Sequence, residues 1–369
     1  MTLPTRTPAM TAEQQNGVSD SRRFEFQEFG GPIAPQTYQL PAPASDEVLL
    51  KVNYCGVCHS DVHLHDGYFE LGGDKRLNFA MPLPLTLGHE VIGTVVAVGD
   101  QVTGVKPGDQ RLIYPWIGCG KCGACQKGEE NLCVTPAHLG VNKPGGYADH
   151  IVVPHSRYLL DISGLNPGDA ATLACSGLTT FSAINKVLPL ADDQWIVVIG
   201  CGGLGQMALR ILQAMGIGNV IGIDLSEEKR KLAHESGARH SFDPNTPKLN
   251  RVVAETCPGT VQAALDFVGN EQTAQLALSL LGKGGKYVPV GLHGGELRYP
   301  LPIITNKAVS IIGSYVGTLK ELEDLVAFAK EKNLPPIHIE HRPLESAAQA
   351  VEDLEKGQVA GRVILDAGN

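Results

Sequence analysis

"QWIVVIGCGGLGQMALRILQAMG", residues 194–216, sets a short apolar run, a glycine-rich turn and an amphipathic segment in immediate succession. Gln194–Ile199 reads as a buried strand, Gly200–Gly205 as the turn and the remainder as a helix. A second apolar run, "NVIGID", ends in Asp224. A G-x-G-x-x-G match alone is weak, but between a strand and a helix, with an acid after the next strand, it reads as a dinucleotide fingerprint. Glycine lets the backbone turn tightly and approach a pyrophosphate, and the helix N-terminus supplies free N–H groups. The residues concerned are Gly200, Gly202, Gly203, Leu204 and Gly205. Asp224 is placed to bind ribose hydroxyls and opposes a 2′-phosphate, which favours NAD over NADP. Capping the next helix is the alternative use of that carboxylate, and Lys229 and Arg230 stand near enough to soften the discrimination. Cys201 lies inside the turn, so bulky alkylation there is expected to block the cofactor.

Downstream, "SEEKRKLAHESG" predicts a helix with Ser226 as N-cap and Gly237 at its end. "AALDFV", "EQTAQLALSLL", "GKYVPVG" and "VSIIGS" continue the alternation, so the fold class is α/β with a doubly wound parallel sheet. "TLKELEDLVAFAKEK" carries a capping box at Thr318 and Glu321 with leucines 319, 322 and 325 on one face. "GRVILDA" is a strand-like run expected to return to the first half. That half is punctuated by glycine and proline between short strand-like runs, among them "EVLLKVNYCGV" and "VIGTVVAVGDQV", and reads as a barrel-like β domain.

The chain has 369 residues and a formal charge of -9. That length implies two domains, and the acidity argues against a nucleic-acid footprint. The start, rich in Thr, Ser, Pro and Gln, lacks the apolar core of a signal peptide and reads as a flexible tail over 1–21. No run of about 18 apolar residues exists to span a membrane. With nine cysteines and no export signal, a cytoplasmic setting is expected, where metal ligation outranks disulfides.

Four of the cysteines, Cys119, Cys122, Cys125 and Cys133, fall in "CGKCGACQKGEENLC". A disulfide knot, an iron–sulfur site and a tetrahedral zinc site all use such clusters. The fourth ligand lies too far on for a ferredoxin run and lacks the following proline. Other candidates are scattered through "CGVCHSDVH", "PLTLGHEVIG" and "LACSGLTTF", each unremarkable alone.

Gly88, His89, Glu90, Gly93 and Gly99, followed by "VKPGD", together with "CHSD", the four-cysteine run and "GCGGLG" in this order, make a specific combination. The chain resembles the zinc-dependent medium-chain alcohol dehydrogenases over nearly all of its length after the tail. "GLTTFSAI" and "KVLPLA" look closest to bacterial members acting on secondary and aryl alcohols. The resemblance implies a GroES-like catalytic domain over 22–176 and 314–369, with a zinc lobe at 115–135, and a Rossmann NAD domain over 177–313.

It also implies two Zn²⁺ ions per chain. A catalytic ion would be held by Cys58, His89 and Cys175, leaving one position open, and a structural ion by the four-cysteine cluster, which leaves none. Asp61 would orient the His89 ring, and Glu90 would sit near the metal. Ser60 would take the alcohol proton and pass it by way of the cofactor ribose to His63 and water, since a hydroxyl both donates and accepts. His59 and Arg362 would approach the pyrophosphate and Thr179 would back the nicotinamide, with Val268 and Val290 also at the cofactor. Phe69, Tyr114 and Trp116 would wall an apolar substrate pocket suited to hydrophobic or aryl alcohols.

The activity so implied is reversible hydride transfer between a primary or secondary alcohol and NAD. Aldehyde reduction or polyol oxidation on the same scaffold is the near alternative. A catalytically idle NAD- and zinc-binding protein is the remote one, disfavoured because the ligands and relay are all present. Expected partners are a small alcohol, aldehyde or ketone and further copies of the chain, a tetramer before a dimer.

Overall fold

A computed structural model of the chain describes residues 20–368; the tail expected over 1–21 lies, up to residue 19, outside the described residues. Two sheets dominate. The six-stranded sheet runs in the order His240–Phe242, Val220–Ile223, Gln194–Ile199, Thr260–Asp266, Lys286–Pro289, Ser310–Ile311. All of its pairings are parallel. Numbered along the chain this is 3-2-1-4-5-6, the doubly wound order in which ligands sit where the strand order reverses. The reversal falls between Gln194–Ile199 and Thr260–Asp266.

Side-chain alternation explains the two covered faces. Trp195, Val197 and Ile199 pack into one apolar cluster, while Ile196 and Val198 join the other. A strand apolar at every position suits a sheet with helices on both sides. Helices Gly203–Ala214, Glu227–Glu235 and Glu271–Leu280 supply those layers. Ser226 caps the second of these by accepting from Lys229 N, and Asn270 the third by accepting from Thr273 N.

In the seven-stranded sheet Val48–Val57 is central. It pairs antiparallel with Glu90–Val98, His150–Val153 and the returning strand Arg362–Asp366. "GRVILDA" therefore does close back onto the first half. The helix Leu319–Lys332 begins at Thr318 with the expected capping box to Glu321 and buries Leu322 and Leu325.

Two features were not read from the sequence. A small hairpin, Tyr68–Gly72 with Lys75–Asn78, projects from the first half. A helix, Ser176–Val187, starts directly at Cys175, so the division expected at 176/177 falls one residue inside it. Thr172 and Ser176 continue that turn through the Ser176 hydroxyl, which donates to Thr172 O at 2.9 Å.

Candidate active site

Three chain segments deliver the buried thiols and imidazole. Val48–Val57 runs into Cys58, which is the N-cap of the helix His59–Asp66. Asp61 closes that first turn by accepting from Cys58 N at 2.8 Å. His89 immediately precedes the strand Glu90–Val98, and Cys175 immediately precedes Ser176–Val187. The ligand atoms of Cys58, His89, Glu90 and Cys175 lie within 4.8 Å of one another, all buried. Both ring nitrogens of His89 are buried and without a hydrogen-bond partner. Leaving two polar atoms unpaired in the interior is costly. Two thiols and an imidazole around that gap are a donor set for zinc, and the residues fit the ion.

The expected support of His89 is present but loose. Asp61 Oδ1 stands 3.4 Å from His89 Nδ1, outside hydrogen-bond geometry. Asp61 instead accepts firmly from Cys58 N and from the Tyr147 hydroxyl at 3.0 Å. Cys175 holds the Cys58 sulfur well below the ordinary thiol range, ready as a thiolate. Glu90 is fully buried; burial pushes its carboxyl up to about 7 against the pull of Arg362.

The four-cysteine cluster fits a closed site equally well. Sulfur separations are 3.5 Å for Cys122–Cys125, 3.8 Å for Cys122–Cys133 and 4.0 Å for Cys119–Cys125. A tetrahedron with Zn–S bonds of about 2.3 Å has an edge of about 3.8 Å.

Beside the first site lies a cavity of about 250 Å³. Cys58, His59, Ser60 and His63 form one wall; Gly200, Gly202, Gly203, Leu204, Gly205, Asp224 and Lys229 form another. Val268, Val290 and Arg362 complete it. It opens at the strand-order reversal, where a dinucleotide is expected. Gly200 has φ of +85°, and a Cβ there would meet the Val268 side chain at 2.7 Å, so the turn admits only glycine. Arg362 packs over Gly203 and contacts the carboxylate of Glu90.

Asp224 lines the cavity, and the cap of the next helix is Ser226 rather than Asp224. One Asp224 oxygen accepts from Cys201 N at 2.8 Å and the other from Ser226 N at 2.9 Å. Ser60 stands 3.7 Å from the Cys58 sulfur. His63 packs edge-on to Phe69, with ring centroids 5.3 Å apart.

Two expectations need correction, those for Tyr114 and Cys201. Tyr114 is not a pocket wall: it is wholly buried, stacks on Tyr158 and spends its hydroxyl on Gly317 O at 3.0 Å. Thr179 sits buried in the helix after Cys175 with its hydroxyl unpartnered. Cys201 cannot be alkylated in the folded protein, because its thiol is fully buried, directed at Ile223 O and raised in pKa by burial. Trp116, by contrast, lies at the metal site, its ring 5.2 Å from that of His89 and its Nε1 donating to Ala174 O.

Sequence reasoning missed Phe267, Gly291, Leu292 and His293, which also line the cavity. They follow the ends of Thr260–Asp266 and Lys286–Pro289. The rule that ligands meet the carboxyl ends of parallel strands was the signal that could have found them.

Residues 44–164 match the alcohol dehydrogenase GroES-like domain and residues 203–331 the zinc-binding dehydrogenase domain. An NAD-dependent alcohol dehydrogenase of Sulfurisphaera tokodaii is 37% identical over 348 residues, covering 93% of this chain and 99% of that protein. The alcohol dehydrogenase of Aeropyrum pernix superposes with a TM-score of 0.84 at 31% identity, over 94% of this chain and 99% of that one. The acetophenone reductase of Geotrichum candidum, solved with NAD, gives 0.80 at 28% identity over 94% and 97%. With both domains matched, and one site of two cysteines and a histidine and another of four cysteines assembled, the chain belongs to the zinc-dependent medium-chain alcohol dehydrogenase family and is an NAD-dependent oxidoreductase.

Proposed function

We propose that the cavity between the two sheets oxidises hydrophobic primary or secondary alcohols, aryl-substituted ones included, and reduces the matching aldehydes or ketones. The observation that carries this reading is the shared cavity itself: Cys58, Ser60 and His63 face the glycine turn and Asp224 across one space. Zinc, when bound, would supply Lewis-acid polarisation of the C–O group, and NAD would supply the hydride acceptor. Cys58, His89 and Cys175 hold the ion, and Cys119, Cys122, Cys125 and Cys133 hold the structural one.

The chain's own residues orient the substrate and move the proton. Ser60, beside the Cys58 sulfur, accepts the alcohol proton, and half-buried His63 delivers it to water. Burial lowers the His63 pKa, so the ring is neutral near pH 7 and free to accept. Arg362 and Lys229 present positive charge to the pyrophosphate beside the N–H groups of the turn, and His59, whose pKa burial lowers, meets it as a neutral ring. Trp116 and Phe69 give the substrate side its apolar character. The acetophenone reductase named above acts on an aryl ketone by its title, which agrees with that lining.

The catalytic unit is taken as 22–176 with 314–369, and the cofactor unit as 177–313. Further copies are expected to pair along the short edge strand Ser310–Ile311, where Ile311 and Leu301 are exposed apolar residues; a tetramer is the favoured assembly. No disulfide joins any of the nine cysteines, in keeping with a cytoplasmic setting, and no helix among the described residues is long and apolar enough to cross a membrane.

Reduction of NAD followed at 340 nm (the reduced-nicotinamide band) over a panel of alkyl, benzylic and polyol substrates, beside zinc quantitation, tests the reading. Turnover of benzylic and secondary alcohols well above sorbitol is expected. Preference for sorbitol, or no turnover at full zinc content, would overturn it.

A further inference from the structure

One buried side chain of the lobe built on the four cysteines reaches the segment beside the reaction site. Asn131 sits in the helical turn Glu130–Leu132, two residues before Cys133. It is buried, and its Nδ2 donates to the carbonyl of Tyr315 at 2.9 Å, across 184 positions of sequence. The turn that carries it is itself anchored. Glu130 Oε2 accepts from Gly118 N at 2.9 Å and from the Tyr158 hydroxyl at 2.7 Å, and Glu130 Oε1 accepts from Arg157 at 2.7 Å. Cys133 N returns to Glu130 O at 3.1 Å. Asn131 is therefore fixed relative to the cluster, not to the segment it grips.

That segment needs gripping. Val316 has φ of +42°, a left-handed conformation that a β-branched residue adopts only under constraint. Two side-chain donors flank it: Asn131 on the carbonyl of Tyr315 and Tyr114 on the carbonyl of Gly317. What the clamp presents is the ring of Tyr315. It lies 6.1 Å from Trp116 in an edge-on arrangement, and Trp116 lies against His89. Tyr315 is partly open to solvent, with 47% of its surface exposed. The ring thus stands one aromatic contact away from His89 of the Cys58–His89–Cys175 site.

We propose that Asn131 is a positioning residue through which the four-cysteine lobe sets the alcohol site: it holds the 315–317 turn so that Tyr315 walls the space beside Trp116 and His89. The inference rests on the reading of that site as the alcohol-binding one. It gives the lobe a task beyond stability, since movement of the lobe moves a substrate wall.

The experiment is a double-mutant cycle with Asn131→Leu, Tyr315→Ala and the pair, each in the zinc-loaded, full-length enzyme. KM and kcat are measured for a benzylic alcohol, together with KM for NAD and zinc per chain. The Asn131→Leu enzyme should show KM for the alcohol raised about five- to tenfold, the scale of one lost hydrogen bond. Its kcat, its KM for NAD and its zinc content should be unchanged. In the Tyr315→Ala background the same substitution should add less than about twofold, because its route is already gone. Additive effects, an unchanged KM, or a fall in kcat and zinc content together would overturn the proposal.

A second reading does not depend on turnover. The chain has two tryptophans, and Trp195→Phe leaves Trp116 as the only emitter. Asn131→Leu should then shift Trp116 emission; unchanged emission would also sink the idea. If the parent enzyme oxidised no alcohol while that shift was present, the functional reading would fail and the structural link would stand. Should Asn131→Leu not accumulate, Asn131→Asp, equal in size but without the donor, is measured in its place.

Discussion

Arg362 and Glu90, 272 positions apart, meet head to head with both side chains removed from solvent. Glu90 follows the metal-site histidine and also accepts from Ser176 N at 3.1 Å, next to the metal-site Cys175. Arg362 opens the strand that returns to the first sheet and lies over Gly203 in the cofactor turn. One ion pair thus ties the segments that carry His89 and Cys175, two of the three ligand-bearing segments, to the glycine turn.

Breaking one half of a buried pair leaves the other charge stranded, at a cost of about 3–5 kcal/mol, whereas replacing both with apolar groups costs far less. Glu90→Gln and Arg362→Met are each expected to lower stability in urea melts by about that amount. The double substitution should fall well short of their sum. Simple additivity, with zinc content unchanged, would show that the pair is not coupled.

Asp224 spends its two oxygens on the N–H groups of Cys201 and Ser226, so its removal should loosen the turn as well as the ribose contact. Asp224→Asn loses the charge and one of the two acceptors, so the diagnostic is the cofactor ratio, since a loosened turn weakens both cofactors alike. The ratio of kcat/KM for NAD over NADP should narrow by about tenfold or more, as the repulsion of a 2′-phosphate is relieved. A ratio that stays put would remove Asp224 from cofactor selection.

Much of this was legible from local pattern. The strands of the parallel sheet are continuous apolar runs because both faces are covered, and the turn at Gly200 announces itself by composition. The Thr318 capping box and the return of "GRVILDA" followed from the same kind of reading. Cys58, His89 and Cys175 were assembled through resemblance, since nothing in their separation implies contact. What stayed hidden depends on how loops lie across one another. Arg362 was read for a pyrophosphate and spends its charge on Glu90 as well. Tyr114 was read as a pocket wall and is a buried clamp on Gly317. Asn131, Tyr315 and the loop at Gly291–His293 have no local signature at all.

The lobe around the four cysteines carries almost no core: between residues 118 and 136 only Glu130, Asn131 and Cys133 are buried. Leu132 and Val134, either side of the last ligand, are exposed. Its order must come from the ion. Cys133→Ser is expected to lower zinc from two to one per chain and to make the lobe the first point of proteolysis. Two zinc ions retained per chain would contradict the assignment of Cys133 as a ligand.

His138 supplies a test in pH. Its ring is buried edge-on to Trp116, its Nε2 has no partner, and burial lowers its pKa to about 4. The unfolded chain binds a proton at this residue near pH 6.5. Between pH 6.5 and 4 the unfolded state therefore holds a proton that the folded state refuses, and stability falls as the pH falls. At about 1.4 kcal/mol per pH unit the loss reaches about 2 kcal/mol at pH 5 and about 3 kcal/mol at pH 4. Above pH 6.5 both states are neutral and the residue contributes no slope. His138→Gln cannot titrate, so the difference in unfolding free energy between pH 7.5 and pH 5 should shrink by about 2 kcal/mol relative to the parent. The metal ligands protonate alike in both proteins and cancel in that comparison. Parallel pH profiles would mean that His138 takes up its proton without unfolding the chain, and that its pocket is wetter than its burial indicates.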